Sequence, residues 1–395
     1  MIEHKWNNHR TRDGLQHPKI AAVFAALLGA AVLLVATTAQ AKRVSAPPTR
    51  ARIDVVFVLD TTGSMAGLIE GAKQKIWSIA NRMSDAKGQP DIRIGLVGYR
   101  DRGDEYITRR IDLSSDIDAI YTALRAFQAD GGGDTPESVN QALHEALTEL
   151  HWRDGEDVYK VVFLVGDAPP HMDYPDDVKY PASLALAARQ GVVVNTIQCG
   201  GLAETTPIWQ EIARRGEGEF AVIAQNGGMV AMETPLDREI ESLNHTLAAT
   251  LLPYGEAAQK RGLFDKLEGA ARAGASVVAS RLSYLSKNGA TIVSSKGDLV
   301  DDLQAGRVRL EEIPRTALPE GMQNLSAPAA REFLDRKTRR REELQQQIDG
   351  LLERRETYLE EARKHRRASG LASGFDEQVI EMVRSQAAEK GIEFE

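Results

Sequence analysis

The feature that most constrains this chain is a set of apolar runs, each closed by polar turn residues and separated from the next by a segment of helical period. The runs are "IDVVFVL" (53–59), "IRIGLVGY" (92–99), "VYKVVFLVG" (158–166) and "VVVNTIQC" (192–199). Unbroken apolar runs suit strands buried on both faces, the condition of a parallel sheet covered by crossover helices. After the first run, Leu68, Ile69, Ala72, Ile76, Ile79, Ala80 and Met83 recur at helical spacing. Further helices are expected over about 116–128, 137–151, 177–190 and 205–215, and "EFAVI" (219–223) as a last short strand. "YITRRIDL" (106–113) has mixed polarity and follows the turn-rich "RDRGDE", which predicts a returning edge strand. The fold class that follows is α/β, a doubly wound, mostly parallel sheet over about 53–250 with a helical C-terminal region. In such sheets ligands bind outside the carboxyl ends of the strands, which directs the search to the loops after Leu59, Tyr99, Phe127 and Gly166.

Three polar clusters fall at those ends. Asp60, Thr62 and Ser64 follow the first strand, "GGGDTPES" (131–138) precedes a helix, and "GDAPPH" (166–171) follows the strand that ends at Gly166. Carboxylates and hydroxyls are hard oxygen donors, and a tight turn at Gly63 aims them at one point, so the run suits a divalent cation. Few carboxylates, with water in the remaining places, favour Mg²⁺, with Mn²⁺ and Ca²⁺ as alternatives. An ion held this way keeps positive charge to offer an incoming acidic group.

In this order and on this strand pattern, "VVFVLDTTGSM" (55–65), the Gly-Gly-Gly-Asp-x-Pro-Glu segment and "VVFLVGDAPPH" (161–171) resemble a von Willebrand factor type A domain with its metal-ion-dependent adhesion site. The resemblance covers about 53–225 and is strongest to the subgroup attached to some alpha-type protein kinases. The kinase itself is not apparent, because 251–395 is helical and charged without a glycine-rich nucleotide loop. That part resembles the tails of bacterial envelope proteins carrying this domain. The resemblance implies Asp60, Thr62 and Ser64 as ligands from the first loop, and Asp167 as a carboxylate acting through water. It leaves two residues for the middle ligand. Many members use a threonine there, and Thr135 is the threonine at hand, but Glu137 stands at that threonine's spacing, six places before Leu143. The Asp-x-Pro-Glu string also resembles integrin β-subunit domains, which place a glutamate on the ion. Glu137 is therefore expected to coordinate, with Thr135 secondary. Asp134 matches an integrin β position that holds a neighbouring cation, against the plainer reading of a helix N-terminal carboxylate or loop cap. The acidic pair that follows the first motif in those subunits is replaced here by Met65-Ala66-Gly67. His171 and Asp173 are expected as solvated loop residues on the same face, and helix 235–252 as the terminal helix that responds to the ion.

The function implied is a non-enzymatic protein–protein interaction module, its ion clasping an acidic group of a protein partner. The alternative, a metal-dependent phosphoryl-transfer or hydrolytic enzyme, would use the same residues. "GSMA" (63–66) lacks the base that a serine nucleophile needs, and Asp60 lacks the cationic clamp of a phosphoryl acceptor. A third reading, a subunit of an ATPase-driven assembly, conflicts with export. The Arg102-Gly103-Asp104 tripeptide is read as a polar loop without function. A net charge of −8 argues against nucleic-acid binding, and the single cysteine, Cys199, excludes an internal disulfide.

Residues 1–41 carry basic positions, an apolar or small stretch from Ile20 to Val35 and an Ala39-Gln40-Ala41 triplet suited to signal-peptidase cleavage. A cleaved signal and a periplasmic or envelope location are expected, with membrane attachment through 20–39 as the alternative. A linker at 42–52 follows. Beyond 250, residues 255–287 read as one helix, 291–314 as extended or short-helical, and a charged helix runs from a cap at Ser326 to about Arg367. Residues 251–325 are thus a connector and 326–395 a charged helical tail. In the long helix Leu344, Ile348, Leu351 and Tyr358 form a seam that Lys337, Arg341 and Arg355 interrupt, which speaks for packing on one side rather than a long coiled coil. The basic run "RKTRRR" (336–341) reads as a solvated face with internal ion pairs.

Overall fold

The computed structural model describes residues 50–394 except 134, 230, 231 and 370–372, so the expected leader at 1–41 and Asp134 lie outside the described residues. The expected alternation is present. In chain order the sheet region comprises β1 (Arg52–Asp60), α1 (Ala66–Met83), β2 (Asp91–Tyr99), β3 (Thr108–Ser114), α2 (Ile117–Arg125), α3 (Val139–Thr148), β4 (Val158–Gly166), α4 (Tyr180–Gln190), β5 (Val192–Cys199), α5 (Thr205–Arg215) and β6 (Glu217–Ile223). Among the described residues the six strands lie in the order β3-β2-β1-β4-β5-β6. All pairs are parallel except β2 with β3, the returning edge strand.

β1 sits between β2 and β4, and its alternation splits the core in two. Ile53, Val55, Phe57 and Leu59 face the side covered by α1 and α2, while Val56 and Val58 face α3, α4 and α5. Register pairs Leu59 with Gly98 and with Val165, so three strands end at one level and their loops meet there.

The remaining helices are α6 (Asp237–Ala248), α7 (Ala257–Ala271), α8 (Ala275–Lys287), α9 (Leu299–Gln304), α10 (Ala327–Ala368) and α11 (Phe375–Ala387). The single helix expected over 255–287 is two, because Gly274 takes an extended conformation and starts α8 anew. Helix α6 packs with α8 and α10 in a separate apolar cluster built on Ile240, Leu282, Leu344 and Ile348. The helix over the sheet beside α1 is instead α11, whose Phe375 meets Phe57 at 5.9 Å between ring centroids. Its neighbours Val379, Ile380 and Val383 join the same core.

Helix α10 packs on one side, as its pattern implies, but with a different seam. Tyr358 is 45% exposed and Leu359 is buried in its stead. Arg341 and Arg355 do not interrupt the packing, because each is buried with a carboxylate: Arg341 with Asp298 and Asp301, Arg355 with Asp237 at 2.7 Å. Only part of the 336–341 run is therefore solvated, with Arg336 and Arg340 paired to Glu332 and Glu343. Arg281 of α8 reaches Asp118 of α2 at 2.6 Å, tying the helical layer to the sheet region. Among the described residues no helix is long and apolar enough to cross a membrane.

Candidate metal centre

Asp60 is the last residue of β1 and is fully buried. Its Oδ1 accepts hydrogen bonds from the Thr62 N–H at 2.8 Å and the Thr62 hydroxyl at 2.6 Å, while Oδ2 has no hydrogen-bond partner. The Thr62 and Ser64 hydroxyl oxygens stand 3.3 Å apart where the chain makes a single helical turn over Gly63–Met65. The first motif thus folds its three oxygen donors toward one another.

The second loop is laced to the first by its backbone. The Gly63 N–H donates to Gly131 O at 3.1 Å, and the Asp130 N–H donates to Thr61 O at 3.1 Å. Asp104 fastens the turn from beneath by accepting from the Gly132 N–H at 3.1 Å. Gly132 has φ +67°, and a Cβ there would lie 2.9 Å from Thr62 Cβ, so only glycine lets the loops close this far. Glu137 then joins the second loop to the third, its N–H donating to Pro169 O at 2.9 Å and its carbonyl accepting from the His171 N–H at 3.0 Å. Its side chain is buried, and Oε2 has no partner.

The third loop follows β4. Asp167 is half-buried and accepts a 2.6 Å hydrogen bond from Gln225 Nε2, which also donates to Ser64 O at 3.3 Å. Thr62, Ser64, Thr135, Glu137 and Asp167 line one depression above Asp60, together with Leu202 and Gln225. On the second loop Thr135 is an exposed rim residue while Glu137 is buried, and on the first loop Ser64 is exposed while Thr62 is buried.

The electrostatics follow from the burial. Taking the Asp60 carboxyl out of water raises its pKa to about 7 despite the Thr62 hydrogen bonds, and the charge of Asp167 adds to the rise. Burial, then the charges of Asp60, Asp101 and Asp104, push Glu137 up to about 9. The Tyr99 hydroxyl beneath them, buried and without a partner, is raised by burial and the same carboxylates. Among the described residues no arginine, lysine or histidine pairs with Asp60, Glu137 or Asp167. Two buried carboxyl oxygens without donors, in a site short of positive charge, fit a cation. No three histidine, cysteine or acidic side chains among the described residues cluster closely enough to hold an ion by themselves, so the hydroxyls of Thr62 and Ser64 must complete any cage.

His171 differs from the solvated residue expected. It is buried, stacked on Tyr174 with centroids 4.0 Å apart, and its Nδ1 meets the exposed Asp173 at 2.7 Å. The Arg-Gly-Asp tripeptide is internal machinery: Arg102 pairs with Asp176 and Asp177 over the Tyr174 ring, and Asp104 pins the glycine turn. Sequence reasoning missed Gln225, Tyr99, Asp101 and Asp104. Asp104 had a trace in its turn-rich loop, whereas Gln225 stands in an ordinary polar turn, "AQNGG" (224–228).

Residues 54–234 match the family model of the von Willebrand factor A domain. Domains of that family generally serve adhesion or protein interaction, often through a metal-ion-dependent adhesion site. Among its relatives, von Willebrand factor A domain-containing protein 7 of Mus musculus is 36% identical over 114 residues, 29% of this chain and 12% of that one. Alpha-protein kinase vwkA of Dictyostelium discoideum is 26% identical over 129 residues, 30% of this chain and 19% of the kinase. The chain thus spans less than a fifth of either relative. Solved structures with a similar chain path include proximal thread matrix protein 1 of the mussel byssus with a zinc-occupied adhesion motif, at 22% identity and a TM-score of 0.34, covering 45% of this chain and 43% of that one.

Proposed function

We propose that the chain is an exported binding module in which Asp60, Thr62, Ser64 and Glu137 hold a divalent cation, Mg²⁺ foremost, and the ion clasps an acidic side chain of a protein partner. The carrying observation is the pair of buried, donorless oxygens, Asp60 Oδ2 and Glu137 Oε2, under a depression open to solvent. Bound there, the ion would supply Lewis acidity toward a carboxylate. Asp167, already engaged by Gln225, acts from one side through water, and Thr135 stands at the rim. The charge of Glu137 tempers the ion's pull, which suits reversible capture. Residues 53–250 form the binding domain, with the connector to 325 and the tail to 395 as spacer or second contact.

Export to the envelope follows from the leader pattern at 1–41. A reporter fused after residue 60 reads the side of the membrane and leader cleavage together. For the clasp, partner capture from envelope extract is expected to disappear with EDTA and return with Mg²⁺ or Mn²⁺. Identical partners for the wild type and a double Asp60→Ala, Ser64→Ala variant would refute it.

A further inference from the structure

A second cavity, of about 50 Å³, lies among α1, α8, α10, the start of α11 and the turn after β6, where Gly228 lines it. Its walls are basic. Lys75 and Arg82 come from one face of α1, and Arg355, Arg363 and Arg366, spaced to share one face, come from α10. Three of these cations are matched: Lys75 by Asp376 at 3.2 Å, Arg355 by Asp237 at 2.7 Å, and Arg363 by Glu356 at 2.8 Å. The side chains of Arg82 and Arg366 have no hydrogen bond or ion pair among the described residues, although the acidic Glu377 also lines the wall. Arg82 is half-buried, and Ser78 and Ser276 add hydroxyls to the lining. Among the described residues the fully buried arginines of the helical layer, Arg281, Arg341 and Arg355, each have a carboxylate.

We infer that this cavity is a binding site for a small tetrahedral oxyanion, phosphate or sulfate, held by Arg82 and Arg366 with help from the serine hydroxyls. Guanidinium groups offer forked N–H donors that match such an anion, and the hydrogen bonds are strengthened by charge. Size points the same way. A water needs about 10–15 Å³ by this measure, so the space has room for a small anion in place of a few waters. Burial, then the charge of Arg363, lowers the pKa of Arg82, although the charges of Asp376 and Glu377 act the other way. The bound anion would brace α1, α10 and α11 against one another at the point where the C-terminal helix enters the sheet core. The notable basic run is thus the later one, "RKHRR" (363–367), and not the run at 336–341, whose Arg341 is committed to Asp298.

The test titrates inorganic phosphate into the full chain at constant ionic strength, in EDTA so that no ion at the strand ends can take the anion. Phosphate and sulfate are expected to raise Tm along a saturating curve that chloride does not reproduce. Arg82→Gln removes an unmatched cation, so it is expected to fold at least as well without phosphate and to weaken phosphate binding about tenfold or more. Calorimetric titration of phosphate into both proteins supplies the affinities. Equal responses to phosphate and chloride, or equal phosphate affinity in Arg82→Gln and wild type, would overturn the site. Stabilisation by glycerol 1-phosphate through Arg82, with none by inorganic phosphate, would assign the site to an ester and contradict the free-anion reading.

Discussion

Two aspartates stand on β1 six residues apart, and neither has any exposed surface. Asp54, at the amino end, accepts from Arg93 at 2.6 Å and from Arg153 at 2.8 Å, and although burial alone would raise its pKa, these bonds hold it below the usual carboxylate range. Asp60, at the carboxyl end, has only the Thr62 donors and is pushed up to about 7. Strand, burial and residue type are the same. What differs is positive charge, which the chain supplies at the amino end and, among the described residues, does not supply at the carboxyl end. The same pairing recurs at Asp118, Asp237 and Asp298, each beside a buried arginine of the helical layer. A fold that pairs its structural acids so regularly marks the unpaired ones as a site.

The comparison can be broken most forcefully at its paired end. Asp54→Ala takes the shared carboxylate from Arg93 and Arg153, of which Arg153 keeps Asp91 at 2.7 Å, and loss of one partner of a buried pair costs about 3–5 kcal/mol, to be read from urea midpoints at unchanged slope. At the unpaired end, Glu137→Gln is expected to weaken Mg²⁺ binding about 100-fold in calorimetric titration, since even groups behind a metal ligand are worth about 10–100-fold. Thr135→Ala, on the rim, should leave that affinity within a few-fold, and the reverse outcome would exchange the two residues' roles.

The smallest effect is in pH. Unfolded Asp and Glu titrate near pH 4. In metal-free protein the folded state holds the Asp60 and Glu137 protons to about 7 and 9, so their favourable contribution is complete below pH 4 and is lost as pH rises through those values. Asp54 has the opposite sign: its contribution is present above the unfolded pKa and is lost in acid. Mg²⁺ restores what the unpaired end loses, so its stabilising effect should be larger at pH 8 than at pH 5, as thermal melts at the two pH values would show.

Much of this was legible in the sequence, for physical reasons that differ by region. The parallel sheet announced itself because strands buried on both faces need unbroken apolar runs, and the first loop because its donors are local to five residues. The spacing to Leu143 singled out Glu137, whose side chain the structure buries at the depression. The partners that arrive from elsewhere in the chain were not legible. Gln225 reaches Asp167 from the turn after β6, and Arg341 reaches Asp298 from another helix, pairings that no local pattern encodes. The same limit hid the place of α11, whose apolar face resembles any short amphipathic helix until the sheet's uncovered surface is known.

The most direct measurement is the melting temperature of wild type and Asp60→Asn, each in EDTA and in saturating Mg²⁺. The amide keeps an acceptor for Thr62 and removes the charge. If Asp60 is buried for an ion, the variant melts above wild type in EDTA and gains nothing from Mg²⁺, whereas wild type gains about 2.7 kcal/mol at a hundred times the dissociation constant. A wild type indifferent to Mg²⁺, Mn²⁺ and Ca²⁺, with Asp60→Asn melting below it in EDTA, would show that the aspartate is structural and contradict the metal site.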